Sequence, residues 1–289
     1  MIENKSRGIL WMLATMACFI SLDAIIKLGL EHYSLVEVTW GRFFFATVFA
    51  ALWCGKNLPE LAFSKVPGQQ TVRSIFLMLT TGLFNSGIIF VPLATATTIM
   101  FLSPIITTVL SVFILKEQVG IRRWAGVAMG FVGAIIVVQP WTAFSGTFNA
   151  GALFLVAAAV TNASYQITTR KVRDDDPKTS LLFTAAFGAI VCSLLLPWHW
   201  QWPDTYGWTL LAGSGLAGAL GHFCIIQAFR YAPASVVAPF SYSSLIWATL
   251  LGYLIWNDFP SHNVWAGAAL IIASGLYIFW RERVKQVQT

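Results

Sequence analysis

The sequence predicts an all-α integral membrane protein: ten transmembrane helices arranged as two inverted five-helix repeats. Three observations carry that prediction. Hydrophobic residues make up 57% of the 289 positions and charged residues only 10%, with a mean hydropathy of +0.71, which leaves too little polar surface for a soluble domain. The apolar residues fall into windows of the length that crosses a ~30 Å hydrocarbon core. The second half of the chain also echoes the first.

The windows are approximately 8–29, 36–54, 72–91, 95–115, 122–140, 150–169, 179–197, 207–229, 234–256 and 262–280. Strand-length alternation between turns, the mark of an outer-membrane barrel, is absent. Only short loops remain between the windows, so no soluble domain is expected. The first window is long and has no small-residue cleavage site, and is expected to be a retained span rather than a signal peptide.

Basic residues set the orientation. With the N-terminus in the cytoplasm, Lys5, Arg7, Lys56, Lys65, Arg73, Lys116, Arg122, Arg123, Arg170, Lys171, Arg173, Lys178, Arg230, Arg281, Arg283 and Lys285 all fall inside. Only Lys27 and Arg42 do not. The net charge of +6 then reflects topology anchors and calls for no nucleic acid. Trp141, Trp198, Trp200, Trp202, Trp256 and Trp265 gather at the opposite, outer boundary as an aromatic belt. Cys18, Cys54, Cys192 and Cys224 have no metal-ligand spacing and read as small core residues.

The repeat has a register. A shift of 141 pairs Pro92 with Pro233, Ser103 with Ser244, Glu117 with Asp258, and Trp124-Ala125-Gly126 with Trp265-Ala266-Gly267. Upstream, a shift of 143 pairs Gly8 with Gly151 and Lys27 with Arg170. Residues 1–140 (spans 1–5) and 141–289 (spans 6–10) are the two expected units. Five spans is an odd number, so the second unit enters the membrane from the other side. Inverted repeats of this kind place a site near the midplane, between the halves.

The chain resembles the drug/metabolite transporter superfamily, in its ten-span form built from two EamA repeats. The resemblance rests on the five-plus-five layout, on WGRFFFATVFAAL in span 2, and on ILKEQVGIRRWAGVAMGFVGAIIVV at the end of the first repeat. The opening LDAIIKLGL…VTWGRFFF is similar to a subgroup that includes bacterial riboflavin and S-adenosylmethionine transporters. The second half departs from the pattern at Asn257-Asp258, where the first has Lys116-Glu117. The resemblance implies a secondary transporter of a small polar metabolite in the cytoplasmic membrane. No cofactor is expected. The expected partners are a small-molecule substrate, the lipid bilayer and, as coupling ion, protons; a homodimer is compatible with this layout.

Candidate substrate-binding residues are those that lipid would penalise. Asp23 lies about 22 Å along span 1 from Gly8 at ~1.5 Å per residue, and Lys27 follows one turn later on the same face. Arg42 enters from the outer end of span 2 at a similar depth. A bare charge here costs on the order of 3 kcal/mol, so these three are expected to face the bundle interior. Together they carry +1, which favours a carboxylate or phosphate on the substrate, and Asp23 is a candidate proton carrier. The alternative is structural: Asp23 bridges Lys27 or Arg42, and Lys27 snorkels to the headgroups.

The repeat register adds further candidates. It pairs Asp23 with Gln166, Phe19 with Asn162, Thr81 with His222, and Phe101 with Tyr242. Asn162, Tyr165, Gln166 and Thr169 share one face of span 6, and Thr81 and Asn85 are the polar members of span 3. Each Asn or Gln either meets substrate or hydrogen-bonds a neighbouring helix. His222 either titrates near neutral pH or packs. Trp247, a mid-span tryptophan, either stacks on a flat substrate or fills the core.

Pro104 and Pro239 remove backbone donors within spans 4 and 9, and either open those helices or kink them. Gly126, Gly130 and Gly133 are expected to allow close helix packing. GSGLAG (213–218) fits G-x-G-x-x-G but lies inside a span, with no βαβ unit, and is not a nucleotide site. The rival function, an intramembrane enzyme, needs a nucleophile with a base or a metal pair on facing helices. No H-E-x-x-H occurs, and His222 has no serine or cysteine partner at sequence level.

Overall fold

The computed structural model describes residues 5–61, 63–114, 120–141, 149–172, 175–232 and 234–287. Helices run α1 (Lys5–Leu30), α2 (Leu35–Cys54), α3 (Leu58–Leu61), α4 (Pro67–Ile88), α5 (Leu93–Met100), α6 (Leu102–Ile114) and α7 (Ile121–Val138) through the first half. The second half contributes α8 (Gly151–Lys171), α9 (Pro177–Leu195), α10 (Thr205–Tyr231), α11 (Ala234–Val237), α12 (Ser244–Trp256) and α13 (His262–Val287). The described residues contain no strand.

Among the described residues, six helical stretches are long and apolar enough to cross a membrane: Lys5–Leu30, Leu35–Leu61, Leu93–Ile114, Pro177–Trp198, Thr205–Tyr231 and His262–Trp280. A shorter apolar helix spans Trp124–Val138. The expected windows 72–91, 150–169 and 234–256 are helical but fall outside that set, for physical reasons. In α4 Val72, Ile75 and Leu79 face outward (46%, 42% and 48% exposed), while Gln70, Arg73, Ser74, Thr81 and Asn85 are buried, alongside Phe84 and Ile88 at its far end. That pattern reverses a soluble helix and lowers the mean hydropathy of α4. Helix α8 carries Thr161, Asn162, Tyr165 and Gln166 on its less exposed side. The 234–256 window is interrupted by a 3₁₀ segment, Ala238–Ser243, which contains Pro239.

The outer surface carries many large apolar side chains. Leu10, Leu52, Phe113, Ile190, Leu194, Ile246 and Leu254 are each more than 60% exposed, a distribution that only lipid accommodates. This is a multi-pass membrane protein.

Helices from the two halves interleave. Helix α1 lies along α10, α4 along α8, α2 along α9, and α7 along α13. Leaving out the four-residue α3 and counting α5–α6 and α11–α12 each as one interrupted helix, advancing every element by five turns the pair α1·α10 into α8·α4 and the pair α1·α12 into α8·α6. Both pairs are present. At the α7·α13 crossing, a Cβ on Gly133 would sit 2.9 Å from the Gly267 carbonyl, so backbone meets backbone there. GSGLAG lies within α10.

Interruptions fall at matching places. Helix α5 stops at Met100 and α6 resumes at Leu102, with the Phe101 amide reaching back to the Thr98 carbonyl at 3.2 Å. Pro104 sits in the first turn of α6, where its missing donor is tolerated. In the second half the irregular segment ends with Tyr242 and Ser243 before α12.

Candidate functional site

Helix α1 is the axis of the site. From Trp11 to Leu30 none of its residues is exposed, because α10, α12, α2, α4 and the 3₁₀ segment surround it. Phe19, Asp23 and Lys27 share a face at four-residue spacing. Phe19 meets His222 of α10 edge to face, with ring centroids 5.3 Å apart. A Cβ on Gly221 would lie 2.6 Å from the Phe19 ring, so that contact requires glycine.

Asp23 and Arg42 lie within electrostatic reach of each other, and Arg42 also within reach of Tyr165 and His222. They form no ion pair within 4.0 Å; among the described residues that distinction belongs to Lys27 and Asp258. Neither side chain of the Asp23–Arg42 couple is fully buried. With no exposed residue along that stretch of α1, the accessible part of Asp23 opens to the interior. Arg42 sits across α2 from the lipid-facing Phe44 and Val48. One turn before it, Thr39 accepts a hydrogen bond from Asn85 Nδ2 (3.0 Å). The buried Asn85 Oδ1 has no partner, and Thr81 is buried beside it on α4.

Lys27 is drawn away from this group. Its ammonium donates to the Val91 carbonyl (3.2 Å), pairs with Asp258 (3.8 Å) and lies 4.7 Å from the Trp256 ring centroid. Trp256 Nε1 donates to Glu31 (2.6 Å). The expected trio of charge +1 is therefore a couple of net charge zero, with Lys27 neutralised at the tryptophan end.

Two further clusters complete the interior. Phe101 and Tyr242 meet edge to face at 5.0 Å and 78°, and Trp247, like Phe19 and Tyr242, packs on the core cluster that contains Phe101. Trp247 Nε1 is buried without a partner. On α8, Gln166 donates to Ser103 Oγ and Asn162 Oδ1 (both 3.0 Å), Ser103 donates to Asn162 Oδ1 (3.3 Å), and Thr107 to Gln166 Oε1 (3.4 Å). Asn162 and Gln166 thus tie α8 to α6, the structural alternative for these two.

Sequence reasoning missed Arg73, counting it as a topology anchor. It is only 6% exposed and donates to Thr169, Ser180 O, Thr184, Tyr165 and Gln70, with its guanidinium 4.7 Å from the Tyr165 ring. Gln70 continues to Asp175 (2.9 Å) and Ser180 (2.7 Å), and Asp175 also accepts from Ser64 and the Lys65 amide. Burial alone would raise the Asp175 pKa; these donors outweigh it and hold the carboxyl below the usual range. The available signal was a basic residue inside a predicted window. Glu117, paired with Asp258 by the repeat, lies outside the described residues.

Comparison with known proteins decides the family. The EamA-like transporter family model matches this chain twice, over residues 6–139 and 149–280. The chain belongs to the EamA-like transporter family. The S-adenosylmethionine uptake transporter of Rickettsia prowazekii (strain Madrid E) is 30% identical over 287 residues, covering 98% of this chain and 95% of that protein. The Rickettsia bellii (strain RML369-C) S-adenosylmethionine uptake transporter is 31% identical, covering 98% and 96%. The riboflavin transporter of Vibrio cholerae serotype O1 is 28% identical, covering 96% and 94%. A crystal structure at 20% identity shares the fold, with a TM-score of 0.63 over 95% of this chain and 96% of its own. This EamA protein is a membrane transporter, and the enzyme alternative is not favoured.

Proposed function

We propose that this protein is a secondary transporter of a small polar metabolite, an amino acid, vitamin or nucleoside-like compound, working by alternating access. S-adenosylmethionine is the first candidate, because relatives matching nearly the whole chain at 30–31% identity carry that name. In this reading the chain spans the cytoplasmic membrane ten times, with both termini inside, as two inverted repeats. The substrate binds among Phe19, Asp23, Arg42, Thr81, Asn85, Phe101, Tyr165, His222, Tyr242 and Trp247, with Asn162 and Gln166 shaping the wall and Lys27 closing one end.

The observation that carries the proposal is the pair of interrupted helices. The first breaks at Phe101 and the second over Ala238–Ser243, a segment that contains Tyr242, 141 residues on; Phe101 and Tyr242 touch. Discontinuous helices at corresponding places in two repeats are how transporters of this architecture build a midplane site. Two arrangements of such halves give access from opposite sides without any nucleotide-hydrolysing domain. Asp23 is the proposed carrier of the coupling proton.

The test is uptake into liposomes holding the purified protein, with labelled S-adenosylmethionine, riboflavin and amino acids, with and without a proton gradient. Saturable uptake of one compound, driven by the gradient in wild type and uncoupled from it in Asp23→Asn, is the expected result. Uptake by Asp23→Asn with unchanged gradient dependence removes the proton role, and no uptake of any compound removes the substrate reading.

A further inference from the structure

We infer that Asp23 and Arg42 form a split receptor for a zwitterionic head group, an ammonium beside a carboxylate as in an α-amino acid, with Arg42 taking the carboxylate and Asp23 the ammonium. This rests on the transport reading above and names the chemistry its site selects.

The argument is a contrast within one molecule. The other interior charges have partners, Glu37 only in part: its Oε2 accepts from the Gln201 amide, while its Oε1 is buried without a partner. Arg73 spends its guanidinium on Thr169, Ser180, Thr184, Tyr165 and Gln70. Lys27 has Val91, Asp258 and Trp256. Asp175 has Ser64, Lys65 and Gln70, and Asp204 has Tyr33 and the Gly207 amide. Asp23 and Arg42 alone in this set make no hydrogen bond to protein. Arg42 has only the ring of its neighbour Phe43, at 5.8 Å. Yet the two acid and base side chains lie within electrostatic reach of each other.

Two flexible, opposite charges in a medium of low dielectric attract strongly, and the arrangement that minimises their energy is contact. Here they stay more than 4.0 Å apart, both partly accessible from the interior. A gap between unlike charges fits a ligand that carries the complementary pair, because each end then replaces lost water with a charge-assisted hydrogen bond. An anion would satisfy Arg42 and leave Asp23 repelled; a cation would do the reverse. With Lys27 neutralised by Asp258, the site has no surplus charge to favour either. The aromatic side chains Phe19 and His222, in contact beside the couple, supply an apolar wall for the rest of such a ligand.

The test is inhibition of labelled S-adenosylmethionine uptake and thermal stabilisation of the detergent-solubilised protein by three probes. These are S-adenosylmethionine itself, its decarboxylated form and its deaminated form, with riboflavin as a ligand lacking the head group. In wild type, removing either charged group weakens binding roughly 10- to 100-fold. Arg42→Gln loses only the preference for the carboxylate and Asp23→Asn only the preference for the amine, while Arg42→Lys, which keeps the charge, retains a preference and controls for folding. Equal preferences in wild type and both variants overturn the inference. Uptake of riboflavin alone, insensitive to both substitutions, overturns it while the transport reading stands. No binding or uptake of any probe overturns both.

Discussion

Phe101 and Tyr242 lie 141 positions apart in the chain and meet edge to face, with ring centroids 5.0 Å apart. The register that pairs the two halves of the sequence thus pairs two residues that touch, each at the place where its helix is interrupted. Edge-to-face pairs contribute about 0.5–1.5 kcal/mol beyond their buried area. The contact fastens the two interruptions to each other.

If that contact coordinates the halves, its members act as one unit. Phe101→Ala and Tyr242→Ala are each expected to lower the uptake rate several-fold, and the double variant to be little worse than either single. A double-mutant cycle on initial rates checks this; strictly additive losses would make the rings independent.

Arg73 is expected to be structural and intolerant even of lysine. Its fork serves five acceptors on α4, α8 and α9, and an ammonium cannot reproduce that geometry. Arg73→Lys leaves buried acceptors unpaired, at about 1–3 kcal/mol each. The unfolding midpoint in detergent should fall by several degrees for Arg73→Lys and Arg73→Met alike. A wild-type midpoint for Arg73→Lys would show that charge alone suffices.

The same end of the molecule carries a pH signature. Hydrogen bonds hold the Asp175 carboxyl below its usual pKa, so its contribution is fully present above the unfolded value of about 3.9. It is lost as pH falls through the lower folded value. Asp175→Asn should therefore lower the unfolding midpoint at pH 7, and the gap from wild type should narrow in the most acid samples. A gap independent of pH would show that shape, not charge, is what Asp175 supplies.

Lys27 is expected to govern movement rather than affinity. It fastens α1 to Val91 and to Asp258 beyond α12, and an ion pair with a partner as exposed as Asp258 contributes only ~0.2–1 kcal/mol. Lys27→Met should change the maximal uptake rate by a few-fold while leaving KM within about twofold of wild type, measured alongside Arg42→Gln, whose KM should rise. A large KM change in Lys27→Met would return this residue to the substrate.

Much of this was legible in the sequence because membranes impose simple rules. Apolar windows marked helices, and Pro104 and Pro239 marked where two of them would not run straight. The repeat register made Phe101 and Tyr242 equivalent positions, and the fold brings the two into contact. What stayed hidden was the destination of long side chains. Lys27 lies on the same helical face as Asp23, yet its four-carbon stem carries the charge to Asp258, 231 positions along the chain. Arg73 read as an interfacial anchor because its acceptors come from two other helices. For Asn162 and Gln166 the sequence left open substrate or a neighbouring helix, because a polar face looks the same from sequence whether it meets a ligand or α6. Helices α4 and α8 are less apolar in composition for the same reason that they matter: they carry polar residues that point inward.

Alternating access around the interrupted helices is the central claim, and cysteine accessibility tests it most directly. In a protein with Cys18, Cys54, Cys192 and Cys224 replaced, a single cysteine is placed at Thr81 and labelled with a membrane-impermeant thiol reagent. Labelling is compared in right-side-out and inside-out vesicles, with and without substrate. The account predicts labelling from both sides, slowed by substrate in each case. Labelling from one side only, under every condition that supports uptake, would contradict it.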